Sequence, residues 1–267
     1  MKRLFDYYLV NTKLSMMGQF QYRLQSFLYV IWLVIEPLIY LVVWSIIARS
    51  NGGSVGGFTP GGFAAYYIVW MLVREMNIVL TPYAWEWRLQ HGMLSGLLMR
   101  PIHPLHYDVT DFAGSKVFMI LIWLPIAAAL TLIFKPTLHP TWMQVLVFFI
   151  AIWGAYLLRT LVCSVLGLIT FWTTRVSAIF ELYFALELIL SGRLVPMTLM
   201  PLWVQHLANF LPFQSMFYFP IIALTGSPSN IELFSGLGIQ LLWFLGFLGL
   251  VNFVWHFAIR RFSSVGN

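Results

Sequence analysis

The stretch EWRLQHGMLSGLLMRP, residues 86–101, lies between two long apolar runs and mixes charged, polar and apolar residues. At helical spacing Leu94, Leu97 and Leu98 offer one apolar face, with Glu86, Arg88 and Arg100 as an exposed charged rim. Gly92 and Gly96 leave room for a neighbouring backbone to approach. A short amphipathic segment held between two membrane spans, on the side that carries the positive charge, suits the transmission of force from a soluble partner. No loop of the form G-x-x-x-x-G-K-[ST] occurs in the chain, so the sequence offers no phosphate cradle with which to draw that force from ATP itself.

Outward from this stretch the class follows from composition. Hydrophobic residues make up 60% of the 267 and charged residues 9%. Several apolar runs are long enough to cross a bilayer. A water-soluble core could not hide this much apolar surface, because too few polar residues remain to cover it. The expectation is one polytopic membrane domain over residues 1–267, an all-α integral membrane protein.

Six membrane helices are predicted, at about 27–48, 61–83, 114–134, 142–171, 177–191 and 233–258. The fifth is short and runs into a Pro-punctuated segment, 192–225, too apolar for an ordinary loop. Lys and Arg placement gives the orientation. With a cytoplasmic N-terminus, the inside holds Lys2, Arg3, Lys13, Arg23, Arg88, Arg100, Lys116, Arg175, Arg260 and Arg261, and the outside only Arg49, Lys135 and Arg193. Both termini are therefore expected to be cytoplasmic. The net charge of +6 is read as this topological bias and not as a footprint for nucleic acid. Cys163 is the single cysteine, so no intramolecular disulfide can form. The first 26 residues show no apolar core followed by a small-residue cleavage site, so no removable signal peptide is expected.

Along residues 1–26 and into the first expected span, Phe5, Leu9, Met16, Phe20, Leu24 and Phe27 recur at helical spacing among Lys2, Arg3, Lys13 and Arg23. This predicts an interfacial helix in the headgroup layer, its basic side chains reaching membrane lipid. It serves either as an anchor or as a lever on a partner. The Gly-rich loop 49–62 reads as a slack connector.

In this arrangement the chain resembles the membrane-spanning permease subunit of a type-2 (ABC-2 type) ABC exporter. Gly92-Met-Leu-Ser-Gly-Leu-Leu-Met-Arg-Pro101 is similar to that family's G-x-L-x-x-L-L-x-x-P coupling region. Ser191-Gly192, Pro196, Pro201-Leu-Trp and Leu211-Pro212-Phe213 are similar to its outer hairpin, and Ala258-Ile-Arg-Arg-Phe262 to its basic exit from the last span. The resemblance implies a cytoplasmic ABC ATPase dimer beneath two permease subunits, identical or related, in a bacterial-type cytoplasmic (inner) membrane. It implies a coupling segment over 84–112, docking through Glu86, Arg88, Gly92, Leu94, Gly96, Leu97, Leu98, Arg100 and Pro101. It implies an extracytoplasmic re-entrant hairpin over 192–225, gated through Pro196, Pro201, Trp203 and Pro212. The cargo would be a hydrophobic or amphipathic compound, such as a drug or a lipid-like or glycan-like molecule, moved outward. The chain itself would be no enzyme and hold no cofactor, since ATP and Mg would sit on the partner.

The residues add an argument of their own for the hairpin. As a helix, 201–210 spans only about 15 Å, half a bilayer, and the prolines at 196, 201, 212 and 220 break the segment into pieces. An amphipathic helix on the outer surface is the alternative. Glu36, Arg74, Glu75, Arg159, Glu181 and Glu187 fall within predicted spans, at roughly 2.5–3.5 kcal/mol each unless paired or wet. A Glu36–Arg159 or Glu187–Arg159 pair would offset that cost. Glu36, Arg159 and Glu187 thus either line a path or pair structurally. Tyr66, Tyr67, Trp70 and Trp153 could line a path, although packing is the simpler role.

Two other functional classes stand beside this one. A proton- or ion-driven transporter could use Glu36, Glu181 and Glu187, but no inverted repeat of broken helices is visible. A membrane-embedded enzyme would draw on His103, His106, Asp108 and Asp111, whose spacing matches no zinc signature, so no metal site is expected.

Overall fold

The computed structural model describes residues 2–21, 23–173 and 175–262, and the side chains of 2, 21, 23–28 and 30 fall outside that description. Lys2, Arg23, Leu24 and Phe27 of the N-terminal pattern therefore lie outside the described side chains. Regular structure is helical: α1 (Lys2–Gln21), α2 (Arg23–Ser50), α3 (Pro60–Met76), α4 (Thr81–Gln90), α5 (Leu94–Leu98), α6 (Pro104–Phe134), α7 (Trp142–Leu168), α8 (Ser177–Leu190), α9 (Leu202–Asn209), α10 (Phe213–Met216), α11 (Tyr218–Thr225) and α12 (Asn230–Arg261).

Among the described residues, five helical stretches are long and apolar enough to cross a membrane: Ile31–Ser50, Pro60–Gln90, Pro104–Phe134, Trp142–Phe171 and Asn230–Arg261. The span expected at 177–191 is α8, whose 14 residues reach only about 21 Å against a hydrocarbon core of about 30 Å. The span expected at 114–134 begins ten residues earlier, at Pro104. His103 starts it by accepting the Leu105 N–H on its ring Nδ1 at 3.1 Å, and Pro104 supplies a preset φ at the first helical position. Capping boxes start α7 (Thr141 with Gln144) and α12 (Ser229 with Glu232).

The core forms around α3, whose residues are buried almost throughout. Tyr66, Tyr67 and Trp70 are fully buried there, and Tyr67 stacks on Tyr40 while Trp70 meets it edge-on, so packing is their role. α12 lies along α7 at Gly154, where a Cβ would stand 2.5 Å from Gln240 Oε1. The Gln240 amide reaches through this gap to donate to Ala151 O (3.0 Å) and Ser215 O (2.9 Å).

α1 lies across the first turns of α6 with its polar side inward. Tyr8 hydroxyl and His106 Nδ1 are 2.7 Å apart, Asn11 donates to Thr110 Oγ1 at 2.5 Å, and Ser15 donates to Asp111 O. Gly114 permits the crossing, since a Cβ there would stand 2.6 Å from Met16 N. Phe5, Leu9, Leu14, Met17 and Phe20 are left exposed along the opposite side. Loop 49–62 is shaped rather than slack. Val55 and Phe58 form a β-bridge around Gly56 and Gly57, both in the left-handed region, and Phe58 stacks on Phe63.

The segment between α8 and α12 turns back on itself. Near its start Leu199 packs on Gly56, and at its end Gly226 O accepts from Gln144 Nε2 at 3.0 Å. Its middle reaches the far end of α3, where Met216 O accepts from Asn77 Nδ2 at 2.9 Å. Pro196, Pro201 and Pro212 each stand at the first residue before a helical turn, where a missing N–H costs nothing. Pro196 and Pro212 are buried, whereas Pro201 and Trp203 are exposed.

Candidate functional site

Two groups of side chains lie outside ordinary packing, one at the turn between α3 and α6 and one inside the helix bundle.

At the turn, Asn77 ends α3 and the chain re-enters a helix at Thr81, with Pro82 in its first turn. Gly92 then takes a φ of +68°, the left-handed region, which separates α4 from α5. Together α4 and α5 make an elbow locked to three other helices. Arg88 Nη2 lies 2.6 Å from Asp108 Oδ1 on α6, and Trp85 Nε1 donates to Asp108 Oδ2 at 3.0 Å. The Arg88 guanidinium also sits 5.3 Å from the Tyr107 ring centroid. Trp85 rests on α7 at Gly167, where a Cβ would stand 2.8 Å from its ring. Glu86 accepts the Val176 N–H at 3.0 Å, and Tyr83 donates to Glu181 at 2.7 Å, both tying the elbow to the start of α8.

The expected faces of the elbow are corrected by this packing. Leu94 is fully buried with Trp85, Leu161, Leu168, Val251 and Ala258, and Leu97 and Leu98 pack beside it. They cover the chain's own core because α7 and α12 end directly beneath them. Arg88 belongs to a buried ion pair and Glu86 caps α8, so neither forms an exposed rim. The elbow presents to solvent Trp87, Gln90, His91, Met93, Ser95, Met99, Arg100 and Pro101, with Gly92 and Gly96 in open space. Met99, 84% exposed, is its tip.

The His103–Asp111 cluster is divided among separate tasks. His103 caps α6, and its ring lies 4.4 Å from that of Trp255. Burial, with a smaller contribution from His106, lowers its pKa from 6.5 to about 4. His106 faces Tyr8, and Asp108 is held by Arg88 and Trp85. Among the described residues no group of three or more His, Cys, Asp or Glu side chains is placed to hold a metal ion.

Inside the bundle, Arg159 on α7 pairs with Glu187 on α8, and Tyr183 donates to the same carboxylate oxygen at 2.9 Å. Arg193 reaches the other Glu187 oxygen at 4.0 Å and sits 4.8 Å from the Phe184 ring centroid. Of the two pairings considered for Arg159, this one forms. Glu36 is taken by Arg74 at 3.2 Å, and Arg74 also lies 3.8 Å from Glu75. Glu75 accepts from Tyr29, while Lys116 donates to the carbonyls of Glu75 (2.8 Å) and Ile78 (2.5 Å) at the end of α3. Lys116, expected on the inner side, and Arg193, expected on the outer side, are both buried. A sequence signal for Arg193 existed in Gly192, whose φ of +78° turns the chain back over α8.

A family model described as "ABC-2 family transporter protein" matches residues 34–266. No curated protein sequence matches the chain.

Proposed function

From the premise that this chain belongs to the ABC-2 transporter family, as a multi-pass membrane protein, we propose that it is the permease subunit of an ATP-driven exporter, paired with a second permease subunit. A separate cytoplasmic ATPase dimer supplies the force, and the cargo is a hydrophobic or amphipathic compound carried outward across the cytoplasmic membrane. The observation that carries this reading is the elbow. A bare, Met-tipped turn joins two spans while a buried ion pair, a buried Trp and a helix cap bind it to α6, α7 and α8. Force applied at Met99 therefore reaches several helices as a rigid push and is not lost in a loose loop.

In this reading α8 supplies the fifth of six spans, completed by the chain that follows it, and both termini are cytoplasmic. The segment 192–225 is a re-entrant hairpin on the outer side. Its contacts favour that over a helix lying on the surface: both ends touch loop-level residues, and its middle bonds to Asn77 at the far end of α3. The Glu36–Arg74 pair is the candidate for a path-facing charge, since Glu36 keeps 31% of its side chain exposed in mid-helix. Glu187, fully buried between two arginines, is assigned to holding the hairpin on α7.

The test is co-purification in mild detergent with mass spectrometry of every accompanying chain. An ATPase that is retained by the unaltered protein and lost from Met99→Glu with Met93→Glu supports the proposal. Stable, transport-competent protein with no ATPase partner overturns it and favours an ion-coupled transporter.

A further inference from the structure

A cavity of ligand size lies away from both groups, between the returning arm of the 192–225 segment and the start of α12. Its volume is about 460 Å³, within the range of small-molecule sites. One wall is Leu211, Tyr218, Phe219 and Ile222, and the other is Ile239 and Trp243. Gly236 sets how close the walls come, because a Cβ there would stand 2.6 Å from Phe219 Cζ.

Its polar lining is divided between the two ends. Asn209 and Gln214, joined by a 3.0 Å hydrogen bond, lie at the inner turn of the segment beside Ser215, whose carbonyl accepts from Gln240, and Glu232 stands at the first turn of α12. Glu232 is the one charged side chain among its described lining residues. The Glu232 Oε2 is occupied by the α12 capping box, accepting from Ser229 N at 2.7 Å and Ser229 Oγ at 2.9 Å. Its Oε1 accepts nothing from the described residues, and the carboxylate stays exposed and negative at the mouth. From Glu232 to Trp243 the helix rises about 16 Å, roughly half the hydrocarbon thickness. A single leaflet thus matches the depth of the groove. Ile239, 52% exposed, opens its side toward the surrounding bilayer.

We propose that this groove seats one acyl chain of a membrane lipid whose head group carries an ammonium, with the head at Glu232 and the chain running down to Trp243. The apolar walls between the two ends, open to lipid at Ile239, are filled by hydrocarbon at no cost in desolvation. The lone carboxylate at the Glu232 end selects the head by charge. A phosphate without a compensating ammonium would meet Glu232 with like charge and no cation beside it. The inference rests on α12 crossing the bilayer and not on the transport reading, so its failure leaves that reading standing.

The experiment uses the full chain in nanodiscs of phosphatidylcholine-free neutral lipid, photolabelled with a long-chain alkylammonium or a long-chain alkyl phosphate carrying a reactive group near the chain end. Two variants accompany it. Glu232→Gln keeps the capping box, since Gln serves at that position, and removes only the charge. Ile239→Trp fills the groove from its exposed side without touching the core. The expected result is labelling of peptides around 218–222 and 239–243, about tenfold greater for the ammonium probe. Glu232→Gln should abolish that preference and Ile239→Trp should abolish the labelling, while phosphatidylethanolamine in the disc should compete. Labelling that ignores Ile239→Trp, or a preference that survives Glu232→Gln, overturns the assignment. Competition by an added single-chain amphiphile but not by phosphatidylethanolamine overturns the lipid and gives the groove to cargo.

Discussion

Arg88 on α4 and Asp108 on α6 form a buried ion pair at 2.6 Å, with Asp108 also held by the Trp85 indole. This pair joins the elbow's α4 to α6, the helix that follows the elbow, so it fixes the elbow's angle as well as its stability. Removing either partner leaves a buried charge uncompensated, at about 3–5 kcal/mol. Arg88→Met and Asp108→Asn should each lower the unfolding temperature in detergent, and the double variant should recover part of the loss. A double-mutant cycle without coupling between the two positions would show that the pair does not bind α4 to α6.

Leu94 and Met99 make opposite predictions although both are apolar and five residues apart. Leu94 is completely buried, so Leu94→Ala should cost about 2–5 kcal/mol through the cavity it leaves. Met99 touches little, so Met99→Glu should leave thermal stability unchanged while weakening retention of the ATPase. Thermal unfolding and co-purification of the same variants separate the two effects. Equal losses of stability would mean that Met99 packs as well.

Much of this contrast was out of reach of the sequence for a physical reason. An amphipathic pattern tells that a helix buries one face, not whether its own chain or a partner covers it. The long spans were legible because long apolar runs have one stable environment, and the Glu187–Arg159 pair was legible only as one of two candidates, because few partners exist at that depth. Arg88, Lys116 and Arg193 were misjudged because hydropathy places them near span ends, where solvent is the default. Their burial depends on tertiary neighbours: Asp108, the carbonyls ending α3, and the turn at Gly192. The five-helix count reflects the same limit, since α8 is apolar but too short to cross alone.

Glu187 is contacted by Arg159 directly and by Arg193 only at 4.0 Å, and this asymmetry predicts unequal variants. Arg159→Met should cost about 3–5 kcal/mol by stranding the Glu187 carboxylate. Arg193→Met should cost clearly less, since Arg159 and Tyr183 still hold that group. Unfolding of the two purified variants in matched detergent gives the comparison. A larger loss at Arg193 would reverse the assignment of the primary partner.

His103 gives a pH dependence with a definite sign. Burial lowers its pKa from the ordinary 6.5 to about 4, so the folded protein keeps the ring neutral while the unfolded chain protonates it first. Between those values the unfolded state binds the extra proton, and stability falls as pH drops from about 6.5 toward 4. Above 6.5 the ring is neutral in both states and contributes no slope. The neutral Nδ1 is also the acceptor that caps α6, so the same proton removes the cap. His103→Asn retains a capping side chain and cannot titrate there. Unfolding temperature followed from pH 7.5 to 4.5 should therefore decline less steeply in His103→Asn than in the unaltered chain. Parallel curves would show that other groups carry the acid sensitivity and that His103 is not held neutral by its burial beside Trp255.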